Sequence, residues 1–216
     1  MPLGQALTFF GCLVVAVIFH EISHGLAALA FGDDTAKRAG RLTLNPVPHI
    51  DPFGSIVLPA MGALTGLPVI AWAKPVPVSP GRLRNPRRDM LVVSLAGPFT
   101  NFLLMGVAAL AVRSMLGGGG FVGLDLGDRG SELLVDVLFA FAVVNLFLGV
   151  FNLLPIPPLD GSALLERVLP REWLPGWYRF RPYGILVLFL LIFSGLVDIG
   201  RVLTPCYDAL VRFVVG

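Results

Sequence analysis

Long apolar runs separated by short polar stretches dominate the chain. Four runs, Leu3–Phe31, Met90–Met115, Leu133–Leu154 and Tyr183–Leu203, are long enough to cross a bilayer, since about 20 apolar residues span its hydrocarbon core. Each is predicted as a helix, because a segment in lipid must satisfy its own backbone hydrogen bonds. A fifth run, Phe53–Trp72, has the length but carries Gly54, Pro59, Gly62, Gly66 and Pro68, which break helices or favour turns. It is read as a re-entrant segment or a fifth crossing. Gly40–Leu44 and Pro75–Val78 are predicted as short strands, and Gly117–Gly120 as a flexible loop.

Composition narrows the class. Of 216 residues, 56% are apolar and 14% charged, and the mean hydropathy is +0.82. Soluble domains carry about 25% charged residues, and disordered chains are poor in apolar ones, so both classes are excluded. The expected fold is an all-α polytopic membrane protein forming one integral-membrane domain over residues 1–216. A net charge of +2 gives no reason to expect a nucleic-acid partner. Cys12 and Cys206 lie at opposite ends of the chain, which argues against a disulfide framework or a cysteine zinc site. The first basic residue is Lys37, so no cleavable signal peptide is expected. Lys74, Arg82, Arg84, Arg87 and Arg88 in one connection and Arg167, Arg171, Arg179 and Arg181 in another place both on the cytoplasmic side.

Candidate chemistry begins inside the first apolar run with His20-Glu21-Ile22-Ser23-His24. Residues i and i+4 of a helix are about 40° apart in azimuth and about 6 Å apart along the axis. The two imidazoles therefore project side by side and can share a zinc ion, with Glu21 beside them as general base. An acid at the centre of a spanning helix costs roughly 2.5–3.5 kcal/mol on insertion scales, so the motif needs partners or a function. A catalytic zinc wants a third protein ligand. Two residues compete for that place. His49 lies in the Pro-rich connection LNPVPHIDPFG beside Asp51, where it also reads as an ordinary loop histidine. Asp160 follows Pro155, Pro157 and Pro158, which force the third span to unwind. An unwound segment can aim a carboxylate back into the bundle, but Asp160 also reads as an N-cap for a short helix over Gly161–Val168.

HEISH in the first helix and Asn152-Leu-Leu-Pro-Ile-Pro-Pro-Leu-Asp160-Gly161 at the end of a later one resemble the site-2 protease family of intramembrane zinc metalloproteases. Gly97-Pro98-Phe99-Thr100-Asn101 is similar to that family's G-x-x-x-N segment. The resemblance covers roughly residues 10–165, with the span 183–203 beyond it. It implies Zn2+, one per chain, held by His20, His24 and Asp160, with Glu21 as the base. Asn101 has two readings, an oxyanion donor or an interhelical hydrogen bond. Asn152 reads as a partner for the broken backbone. No additional N-terminal span or regulatory domain is expected, which makes this a minimal-core member. The implied activity is hydrolysis of a peptide bond in or near a transmembrane segment of a membrane-protein substrate, within the lipid of the cell membrane. A membrane zinc-binding or transport protein is the alternative. One metal site further requires Gly32–Asp51 to lie on the same side as Ala73–Arg88, with Phe53–Trp72 returning as a hairpin and both termini outside.

Overall fold

A computed structural model describes residues 3–57, 73–116, 127–195 and 198–216. Its helices are α1 (Leu3–Ala30), α2 (Thr35–Arg38), α3 (Pro86–Leu116), α4 (Gly127–Asn152), α5 (Ser162–Val168), α6 (Leu174–Phe180), α7 (Gly184–Phe193) and α8 (Ile199–Val215). Among the described residues three helices, α1, α3 and α4 from Gly130 onward, are long and apolar enough to cross a membrane. They pack pairwise against one another. At 1.5 Å per residue, the 28 residues of α1 reach about 42 Å, more than the roughly 30 Å hydrocarbon core.

The bundle is built for lipid. Its buried positions are mostly small: Ala16 and Ala28 on α1, Ala108, Ala109 and Ala111 on α3, Ala140 and Ala142 on α4. Small residues let helix backbones approach closely where lipid removes the hydrophobic drive. The large apolar side chains point outward instead. Phe99, Leu103, Val107 and Leu110 form one exposed stripe along α3, and Leu3, Leu7 and Phe10 do the same on α1. Water would not tolerate so much contiguous apolar surface. The chain is an integral membrane protein.

The fourth predicted span is not one helix. It divides into α7 and α8, and Gly195 between them takes φ +70°. That left-handed conformation is a common helix stop, and glycine adopts it without strain. Ten-residue α7 is about 15 Å long, too short to cross alone. The α8 helix instead packs Leu210 and Val214 with Ala108, Val112, Ala142 and Leu146 of α3 and α4.

Among the described residues there are no strands, so Gly40–Leu44 and Pro75–Val78 do not form the short strands predicted for them. The reason is local. The Val76 N–H donates to a side-chain carboxylate, Glu21 Oε2, at 2.8 Å, and the Arg41 N–H closes a turn on the Ala36 carbonyl. Residues 52–57 form a single π-helical turn. The remainder of Phe53–Trp72 lies outside the described residues, as does Gly117–Gly120, and with it the choice between hairpin and crossing.

Three connections gather at the end of the bundle where α1 and α4 finish and α3 begins. The Arg84 N–H bonds the Phe31 carbonyl at 3.1 Å. Arg87 Nη2 donates to the carbonyls of Arg167 and Leu169 at 3.2 and 3.1 Å. Asp33, with no exposed surface, ties α1's exit to the 73–79 segment by accepting the Ser79 N–H at 2.6 Å. It also accepts the Thr35 N–H at 3.0 Å and the Thr35 hydroxyl. Burial alone would raise its pKa; these hydrogen bonds and nearby Arg82 outweigh burial and hold the carboxyl below the usual carboxylate range.

Candidate metal centre

One face of α3 receives both imidazoles of α1. Val93, Gly97 and Asn101 follow one another at i, i+4 and i+8, so they line one side of that helix. His24 Nδ1 lies 2.7 Å from the Val93 carbonyl, and His20 Nδ1 lies 2.6 Å from Asn101 Oδ1. Gly97 sits between. A Cβ there would fall 2.5 Å from His20 Cε1 and His24 Nε2 and 2.6 Å from His20 Nε2. The glycine is required by close approach: only a bare backbone leaves room for two rings.

The polarity of these bonds decides what the rings offer. A carbonyl oxygen only accepts, so His24 Nδ1 carries the proton. With Asn101 presenting Oδ1, the same holds for His20. In a neutral ring the other nitrogen, Nε2, then has its lone pair free. The two Nε2 atoms lie 3.0 Å apart and face Asp160 Oδ2 at 3.1 and 3.4 Å. Asp160 Oδ2 is buried and lacks a hydrogen-bond partner. With both rings neutral and Asp160 ionised, three electron-rich atoms converge here, an arrangement that a bound cation would stabilise. The donor set suits zinc, which takes imidazole nitrogen and carboxylate oxygen. Among the described residues this is the group of three or more such ligands able to hold a metal ion, its atoms all within 4.8 Å of one another.

Asp160 arrives from the loop that follows α4. The Gly161 N–H reaches back to the Asn152 carbonyl at 2.6 Å, folding the chain onto the helix end. A Cβ at Gly161 would meet the Leu153 carbonyl oxygen at 2.1 Å, so the Asp-Gly step needs its glycine. Asn152 Nδ2 donates to the Leu148 carbonyl one turn earlier. The N-cap reading of Asp160 is not seen: Gly161 precedes α5, with no side-chain cap bond.

Glu21 is half-buried, and its Oε2 is held by the Val76 N–H. That segment is anchored by Arg41, a buried guanidinium whose Nη2 donates to the carbonyls of Lys74 at 2.5 Å and Pro75 at 3.3 Å. His49 stands apart from the cluster, its Nε2 3.0 Å from the Thr43 carbonyl. Asn101 is fully buried, and its Nδ2 donates to Asn145 Oδ1 at 2.9 Å. Sequence reading missed Asn145, Arg41 and Val76. Only Asn145 carried a signal, as an amide in the middle of an apolar run.

A bundle of membrane-spanning helices enclosing a His–His–Asp cluster defines a polytopic membrane metalloprotein. The comparisons with known proteins make this specific. The family model for peptidase family M50 matches residues 114–194. Relatives named as zinc metalloproteases include YwhC of Bacillus subtilis, 37% identical over 184 residues, covering 85% of this chain and 79% of the relative. Rip2 of Mycobacterium tuberculosis is 35% identical over 199 residues, covering 88% and 70%. MJ0392 of Methanocaldococcus jannaschii is 24% identical over 199 residues, covering 90% and 44%. No solved structure matches. The chain belongs to peptidase family M50, the site-2 protease family, and is a zinc metalloprotease.

Proposed function

We propose that this enzyme is an intramembrane endopeptidase of the cell membrane, cutting a peptide bond in or near a transmembrane segment of a membrane-protein substrate. The observation that carries this reading is the depth of the cluster. His24 and His20 lie six and ten residues before the end of spanning helix α1, so about 9 and 15 Å along its axis. A scissile bond must enter the bundle to reach them. In this reading His20, His24 and Asp160 hold the zinc and Glu21 moves the proton.

Zinc in that position supplies a Lewis acid for the scissile carbonyl and lowers the pKa of water. The protein's own groups do the rest. Val76 N–H fixes one oxygen of Glu21, leaving Oε1 to take a proton from the attacking water and return it to the leaving amine nitrogen. Asn101 holds the His20 ring through Oδ1; one of its two Nδ2 hydrogens goes to Asn145, and in this reading the second is left for the developing oxyanion. The substrate must unwind first, because helical amides are tied up in their own hydrogen bonds. In this reading the end of the bundle that carries the arginine-rich connections faces the cytoplasm.

The test compares membrane proteomes of cells carrying the native enzyme or Glu21→Gln. The native enzyme is expected to release fragments of one or a few single-span proteins, ending within or beside their spans, and the variant to accumulate the uncut forms. Cut sites confined to soluble domains far from any span would overturn the reading.

A further inference from the structure

The hydrogen bonds behind His20 extend beyond Asn101 to Asn145, whose side chain bonds Asn101 and the Phe141 carbonyl. Asn145 sits in the middle of α4 with no exposed surface, as does Asn101. Its Nδ2 donates to the Phe141 carbonyl at 2.9 Å. Its Oδ1 accepts from Asn101 Nδ2 at 2.9 Å. Asn101 Oδ1 then faces His20 Nδ1 at 2.6 Å. The chain crosses all three spanning helices, from α4 through α3 to α1.

An amide can turn end for end, so neither asparagine alone dictates the direction of this chain. The Phe141 carbonyl does. A backbone oxygen cannot donate, so it must face an N–H, and that fixes the amide of Asn145. Asn145 consequently presents oxygen to Asn101, and Asn101 presents oxygen to His20. His20 must then place its proton on Nδ1 and its lone pair on Nε2, the atom facing Asp160 and His24. Without Asn145, Asn101 can turn its NH2 toward His20. The ring then accepts at Nδ1 and carries its proton on Nε2, where it cannot ligate a metal.

We infer that Asn145 is a positioning residue for the metal centre: it sets the tautomer of His20 through Asn101, using the Phe141 carbonyl as a fixed reference. The inference rests on His20 being a zinc ligand, as proposed above. Outer hydrogen-bond partners of ligating histidines fix tautomer and ring orientation in this way. Partly satisfied buried networks are costly, which gives the three-membered chain a reason to be complete.

The experiment uses the purified full-length chain in detergent and two substitutions of similar shape. Asn145→Leu removes both bonds. Asn145→Asp keeps an oxygen for Asn101 Nδ2 and so keeps the direction toward His20. Zinc affinity is measured by competition with a chelator, and the protonated ring nitrogen of His20 by 15N NMR of the zinc-free protein. Asn145→Leu is expected to weaken zinc binding about 10–100-fold, the range seen for outer partners, with Asn145→Asp much closer to native. The His20 signal should show Nδ1–H in the native and Asp proteins and a share of Nε2–H in the Leu protein. A purely structural role would lower thermal stability without moving the tautomer. Native-like zinc affinity in Asn145→Leu, an unchanged His20 tautomer, or equal losses in the Leu and Asp variants would overturn the inference. His20→Ala is run alongside. Retention of tight zinc by that variant would sink the ligand assignment itself, whereas zinc loss there with none in Asn145→Leu would sink the role of Asn145 alone.

Discussion

Glu21→Gln is expected to leave zinc content at the native level and to lower kcat/KM by about 10²–10⁴, the usual contribution of a positioned general acid–base. The two halves of that expectation come from different parts of the structure. In the proposed arrangement zinc depends on His20, His24 and Asp160, and the cluster of three facing atoms does not include a Glu21 oxygen. Glutamine keeps the shape of the side chain and an oxygen for the Val76 N–H, so the 2.8 Å tie to the 73–79 segment can persist. It cannot take up a proton from water. Metal analysis of the purified variant, beside cleavage of a membrane-protein substrate reconstituted in detergent, checks both. Equal loss of zinc would place Glu21 among the ligands, and full turnover would remove it from the proton path.

Gly97→Ala is expected to be as damaging by a different route. The added methyl would lie 2.5–2.6 Å from three atoms of the His20 and His24 rings, inside the closest distance carbon and nitrogen tolerate. Nor can the rings retreat freely, since each is tied at Nδ1, one to Asn101 and one to the Val93 carbonyl. Either those bonds break or α3 shifts away from α1, and the Nε2 atoms leave their shared position in both cases. Alanine is the better helix former by about 1 kcal/mol, so a destabilised helix is not the cause. Gly106→Ala on the same helix supplies the control, because a Cβ there has nothing within 4 Å. Zinc affinity measured by chelator competition should fall more than 10-fold for Gly97→Ala, judged against outer-partner losses of about 10–100-fold, and stay native for Gly106→Ala. Equal affinities in the two variants would contradict the packing account.

What could be read from the sequence follows from which interactions are local. The placement of His20 beside His24 is a property of one helix turn, so spacing alone gives it. The unwinding before Asp160 is dictated by Pro155, Pro157 and Pro158 within the same short stretch. Three of the apolar runs became spanning helices for the same reason. Most of the misses are matters of tertiary pairing. Pro75–Val78 has strand-like residues, but the carboxylate of Glu21, 55 positions earlier, took the Val76 N–H that a neighbouring strand would have needed. Composition does not reveal that α8 packs against α3 and α4, or that Gly195 divides the fourth run. Asn101 shows the limit most clearly. Its place in a G-x-x-x-N segment pointed to the site, yet its pairing with His20 on α1 and Asn145 on α4 is visible only in the fold.

The central claim is that two imidazoles and one carboxylate, and nothing else from the chain, hold the zinc. Zinc X-ray absorption spectroscopy of the purified native protein tests it most directly. The expected spectrum has a nitrogen and oxygen shell at about 2.0–2.2 Å, two imidazoles in its outer scattering and no sulfur. Replacing Asp160 with alanine should remove an oxygen and leave both imidazoles in whatever zinc is retained. A third imidazole, which only His49 could supply, or a sulfur shell at about 2.3 Å from a cysteine, would contradict the account.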